Sequence, residues 1–190
     1  MLKDLCLING TSGDEGKVRD YIITQIKDYC EYSVDNMGSI IAYKKGKKAP
    51  KQKISINAHM DEVGFIVTGI TGDGYLRFTS VGGIDSRVCL DRIVTVGKKA
   101  LKGVIGDKAF HLLSSDEKDS CPSFDDLLID IGATSKDEAE QYVALGDFAY
   151  FDSDYVELGN GYIKAKALDD RIGCMLMIEL IKSELEYDTV

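Results

Sequence analysis

From residue 63 to about 160 the chain is cut into short β-prone runs with glycine between them: GFIVTGI, GYLRFTSV, RIVTVG, KGVIG, FAYFD and GYIKAKAL. Closely spaced strands with turn signals pack as a small barrel or sandwich. TGDGY has the composition of a hairpin turn. One segment breaks the pattern: SKDEAEQYVAL (135–145) reads as a helix, with Ser135 and Glu138 at capping spacing.

The two ends differ from this middle. Ser12 and Glu15 in SGDE have capping-box spacing, and Val18, Tyr21, Ile22, Ile26 and Tyr29 recur at helical intervals. An amphipathic helix is predicted over about 14–30. YSVDNMGSIIAYKKG reads as a hairpin turning at Asn36–Gly38, and KISINA as a strand with Ile54, Ile56 and Ala58 on one face. In LDDRIGCMLMIELIKSELEY, only Gly173 and Glu179 interrupt the apolar residues between Ile172 and Ile181. A helix apolar on nearly every side is normally buried within a larger body. The expected architecture is α/β: one domain made of 1–64 and 163–190, interrupted by an inserted β domain at 65–162.

A net charge of −9 argues against a nucleic-acid partner. The one basic cluster, KKGKKAPKQK (44–53), reads as a solvated turn between two strands. No apolar run approaches the ~20 residues that span a bilayer, and the first residues are too polar for a signal peptide. No membrane partner is expected. The five cysteines are scattered and form no C-x-x-C pair. That argues against a disulfide framework or thiolate knuckle and fits a reducing, cytoplasmic setting.

INAHMDEVGF (56–65) places a histidine and two acids directly after an apolar run. If the strand continues past Ala58, Asn57, His59 and Asp61 share one side. Imidazole is a good zinc or cobalt ligand, and a carboxylate two residues on can accept its other N–H and fix the tautomer. The same pattern also suits a hydrogen-bonded turn histidine. Asp169 and Asp170 precede the apolar helix, where aspartate serves as an N-cap. They could equally place a carboxylate between two cations, as in two-metal hydrolytic sites.

NAHMDEVGFIV together with KALDDRIGC resembles the glutamyl and tetrahedral aminopeptidases, a family of dinuclear metallopeptidases whose members have often been labelled endoglucanases. GTSGDEGKVRDYI, VDNMGSIIAYKKG, VGGIDSRVCLDRIVTVG, GVIGDKAFHLL and LLIDIGATSKDEAE resemble further segments of that family in the same order. The resemblance implies a zinc-peptidase-like catalytic domain interrupted by a small β-barrel that mediates dimerisation. It implies His59 as a terminal metal ligand, Asp61 as the catalytic acid that orients it, and Asp169 as the carboxylate bridging two zinc or cobalt ions. It implies a supporting role for Asp170, joined to Asp169 by a cis peptide, with Arg171 and Gly173 structural. Glu62 is read as a turn residue. His111 has Phe110 where a proline is expected, and is read as packed or assembly-related rather than catalytic.

In the resembled family a later strand carries two glutamates, one a general base and one a ligand, followed by another acid and a last histidine. The chain reaches YDTV without them. The expectation is the N-terminal portion of an aminopeptidase acting on peptides, inactive as residues 1–190, with low or single metal occupancy and self-association into dimers or larger assemblies. Two alternatives are a non-catalytic self-associating fragment and, remotely, a glycoside hydrolase. The latter needs two opposed carboxylates and usually aromatic sugar platforms, and the chain has no tryptophan.

Overall fold

The structure is a computed structural model, which describes residues 1–52, 55–108 and 121–190. His111 and Phe110 lie outside the described residues. Contacts divide the chain into two units, Val63–Ser153 and a second made of Met1–Glu62 with Asp154–Val190. The whole is mixed α/β with a closed six-stranded barrel.

The barrel occupies the first of these units. Its strands are β3 (Gly64–Ile70), β4 (Leu76–Val81), β5 (Ile93–Val96), β6 (Leu101–Gly106), β7 (Leu128–Asp130) and β8 (Phe148–Phe151). They are hydrogen-bonded antiparallel in the order β3-β4-β7-β6-β5-β8, and β8 closes onto β3. Closure removes the unpaired edges that such short strands would otherwise expose. Alternate residues fill the interior: Phe65 and Val67, Leu76 and Phe78, Val94 and Val96 are all buried. Phe65 meets Phe78 and Phe151 edge-on, each at 5.0 Å. Gly103 on β6 lets the strands approach, since a Cβ there would stand 2.7 Å from the Ile129 side chain.

The helix expected over 135–145 is shorter, α3 at Lys136–Glu140. Ser135 Oγ accepts from Glu138 N at 3.2 Å, as its spacing suggests. Beyond Gln141 one more helical bond forms, from Val143 N to Ala139 O at 2.9 Å, before a local turn in which Asp147 accepts from Ala144 N, and Gly146 N donates to Val67 O.

The second unit holds α1 (Leu2–Leu7), α2 (Gly16–Ile26), the hairpin β1–β2 (Glu31–Val34, Ile40–Tyr43), the hairpin β9–β10 (Val156–Leu158, Tyr162–Lys164) and α4 (Leu168–Lys182). Val18, Ile22 and Ile26 line one stripe of α2 and pack with Leu5, Cys174 and Ile178. The expected capping box is absent. Glu15 occupies the N-cap without capping its own helix, its Oε1 accepting from Gly13 N at 2.9 Å, and the Ser12 hydroxyl is engaged by Asp61 instead. KISINA is not a strand over its described residues 55–58. Its backbone bond runs from Ile56 N to Val190 O at 3.0 Å, and a single bond makes no ladder.

Helix α4 is buried on one face only. Cys174 and Ile178 are covered, whereas Ile172 and Leu176 remain 42% and 59% exposed. The basic cluster is not a free turn either. Lys47 and Lys48 pair with Glu184 and Glu186, Lys48 sits over the Tyr187 ring, and Gly46 N donates to Asp188. The lysines remain more than half exposed, as a solvated segment should be, but their acidic partners lie about 140 residues further along the chain and could not be read locally.

Candidate metal centre

His59 lies between two carboxylates. Its Nδ1 is 2.9 Å from Asp61 Oδ1, and its Nε2 is 3.2 Å from Asp169 Oδ1 across 110 residues of sequence. The second Asp61 oxygen accepts the Ser12 hydroxyl. A chain of polar contacts therefore runs Ser12–Asp61–His59–Asp169. Partial burial pulls the His59 pKa down, but hydrogen bonds to Asp61 and Asp169 outweigh it and leave the pKa above its ordinary 6.5. Burial likewise pushes Asp61 up, and the bonds from Ser12 and His59 bring its carboxyl below the usual range.

The two adjacent acids at the start of α4 do different things. Ala167 has a left-handed backbone at φ 54, and Asp169 and Asp170 depart from helical angles, so regular turns begin at Arg171. The Asp169–Asp170 peptide is cis. Asp170 Oδ1 accepts from Gly173 N at 3.0 Å, a helix-capping bond. A Cβ at residue 173 would collide with that carboxylate, so a side chain there would displace the cap. Asp169 faces His59 with its side chain 96% exposed.

The donor chemistry fits a divalent cation. With Nδ1–H donated to Asp61, the Nε2 lone pair points at a second carboxylate, and the two repel unless a proton or cation stands between them. Donors on one tetrahedral zinc, with bonds of ~2.0–2.2 Å, lie about 3.3 Å apart. The observed 3.2 Å suits either occupant. Among the described residues no group of three or more His, Cys, Asp or Glu side chains converges, so His59 and Asp169 offer two donors of the usual four. His59 and Asp61 also line a cavity of about 500 Å³ with apolar walls from Ile22, Ile26, Met177 and Ile178.

Sequence reasoning missed the buried charges around this centre. Glu62 is no solvated turn residue; it is 6% exposed and paired with Lys166 at 2.7 Å. Arg171 is fully buried and donates to the carbonyls of Leu5, in the last turn of α1, and of Ile8 and Gly10 just beyond it. Burial lowers the Arg171 pKa from its ordinary value, opposed chiefly by the Glu62 charge. Cys174 donates to the His59 carbonyl at 3.3 Å, and burial pushes its thiol up to about 11. An acid and a lysine 104 residues apart give no local signal of pairing.

Residues 38–189 match the profile of the M42 glutamyl aminopeptidases. The glutamyl aminopeptidase of Lactococcus lactis subsp. cremoris is 33% identical over 189 residues, covering 95% of this chain and 53% of that protein. The TET1 peptidase of Pyrococcus horikoshii, described as assembling into a tetrahedron or a large octahedral shell, superposes with a TM-score of 0.87 at 42% identity, covering 99% of this chain and 58% of that one. A Thermotoga maritima protein described as an endoglucanase superposes at 0.85, also at 42% identity, covering 100% of this chain and 57% of that one. The chain spans about half the length of the curated relatives it matches. The chain therefore belongs to the M42 glutamyl aminopeptidase family.

Proposed function

We propose that residues 1–190 supply part of a two-metal aminopeptidase centre that removes N-terminal residues from peptides. The observation that carries this reading is the His59 ring, oriented by Asp61 and presenting its other nitrogen to Asp169 at 3.2 Å. His59 and Asp169 would hold zinc or cobalt, and Asp61 would fix the tautomer that leaves Nε2 free to bind it. Asp170 would hold the start of α4 in place beside them. Bound there, two such ions supply Lewis-acid polarisation of the scissile carbonyl and a nucleophile at neutral pH. The other ligands and the general base would come from outside these residues, and a general base typically contributes ~10²–10⁴-fold in rate. Residues 1–190 alone would therefore hold one cation weakly and turn over little.

The test is dialysis against zinc and cobalt, followed by metal counting and assays on leucine and glutamate p-nitroanilides, with a longer chain in parallel. The expected result is at most one metal on residues 1–190, without turnover, and full activity in the longer chain. Two tightly bound metals with robust turnover on residues 1–190 would overturn the division of labour. No metal on either chain would overturn the centre itself.

Self-association through 65–162, read as an inserted domain, belongs to the same proposal, in line with the assembly described for the TET1 peptidase. Light scattering should find a dimer or larger species, and a clean monomer at high concentration would count against it. The Thermotoga relative's description raises glycoside hydrolysis. The site has a histidine between its carboxylates rather than two carboxylates flanking a sugar cleft. Release of reducing ends from cellulose would favour that rival.

A further inference from the structure

Asp169 is an exposed carboxylate whose place must come from its backbone, and that backbone is anchored by a buried cation on each side. Three residues before it, Lys166 Nζ lies 2.7 Å from Glu62 Oε1 and 2.6 Å from Asn9 Oδ1. Two residues after it, Arg171 holds the carbonyls of Leu5, Ile8 and Gly10. Glu62 adjoins Asp61 and is itself fastened to the 9–12 segment. Its Oε1 accepts from Gly10 N at 3.1 Å, its carbonyl accepts the Thr11 hydroxyl at 2.6 Å, and its N–H donates to Gly10 O at 2.9 Å. The Lys166 and Glu62 side chains are only 9% and 4% exposed.

We propose that the Glu62–Lys166 pair is a positioning device that sets the separation between His59 Nε2 and Asp169. Stability alone is a weak reason to bury such a pair, because well-packed apolar residues of similar volume are often as stable or more so. Apolar contacts, however, tolerate sliding, whereas this pair fixes two segments to within hydrogen-bond distance at one oxygen. One segment carries His59 and Asp61 and the other carries Asp169. Among the described residues no hydrogen bond or ion pair joins Glu62 or Lys166 to His59 or Asp169, so the pair acts on geometry. The consequence for metal binding rests on the function proposed above; the consequence for the His59 ring does not.

The chain has two histidines, so its imidazole nitrogen spectrum is simple, and His111→Gln assigns it. Glu62→Gln and Lys166→Met should each destabilise the fold by leaving a buried charge without its partner. The double variant should melt close to the parent. At that matched stability its His59 ring nitrogens should shift toward free imidazole at fixed pH, and its Co²⁺ affinity should fall on the order of 10-fold. Glu62→Asp, which keeps the charge but withdraws it by one methylene, should shift the ring signals in the same direction and serves if the double variant does not fold. Parent ring signals in a folded double variant, or in Glu62→Asp, would overturn the proposal. If the parent chain binds no Co²⁺, the metal reading fails, and the ring signals still decide on the pair.

Discussion

At the scale of single residues, Asp169 and Asp170 separate stability from site chemistry. Asp170 caps α4, so Asp170→Ala should cost about 1 kcal/mol in urea unfolding. Asp169 is exposed and holds no helix bond, so Asp169→Ala should change stability by less than ~0.5 kcal/mol. The same variant should abolish Co²⁺ binding in calorimetry, since it removes one of two donors. Ser12→Ala frees one Asp61 oxygen without touching His59. It should weaken Co²⁺ binding on the order of 10-fold and leave the melting curve nearly unchanged. Equal losses of stability in all three would mean that Asp169, Asp170 and Ser12 act only as structure.

At the scale of elements, the barrel is held by an aromatic centre rather than by long strands. Phe65 is fully buried and contacts Phe78, Phe124 and Phe151. Phe65→Ala should cost about 3–5 kcal/mol, visible as an early transition in thermal melting. Helix ends were less legible than helix faces. The stripe Val18, Ile22 and Ile26 could be read from spacing, but Ser12 satisfied its capping pattern and bonds elsewhere. A cap pattern states what a side chain can do locally; a carboxylate from a distant segment competes for the same hydroxyl. KISINA had strand composition but makes no ladder over its described residues, because a strand exists only through a neighbour.

At the scale of the whole molecule, burial sorts the thiols. Cys6, Cys89 and Cys174 are buried and Cys121 is exposed. Alkylation of the folded chain at pH 8 should mark Cys121 first and the buried three only on unfolding, read by mass spectrometry. Burial raises the Cys89 pKa above its ordinary 9.0. The unfolded chain therefore releases that proton first as pH rises. Stability from the protonated thiol is complete below about 9 and is lost as pH climbs toward the folded value. A melting temperature that rose above pH 9 would contradict this sign.

What the amino-acid order determined by itself is local. Strand-and-glycine spacing specified a small β body, helical spacing specified the buried stripe of α2, and the segments NAHMDEVGFIV and KALDDRIGC, through their resemblance to the aminopeptidases, singled out His59, Asp61, Asp169 and Asp170. Each of these can be read within a dozen residues, because backbone period and side-chain type are properties of the segment alone. Only the tertiary structure decided which groups meet. It placed Asp169 against His59, took Ser12 from its helix to Asp61, paired Glu62 with Lys166, and set Lys47 and Lys48 against the acids at 184–186. Those contacts join side chains roughly 50 to 140 residues apart. Their energy depends on distance and burial, which are fixed only after the chain has packed.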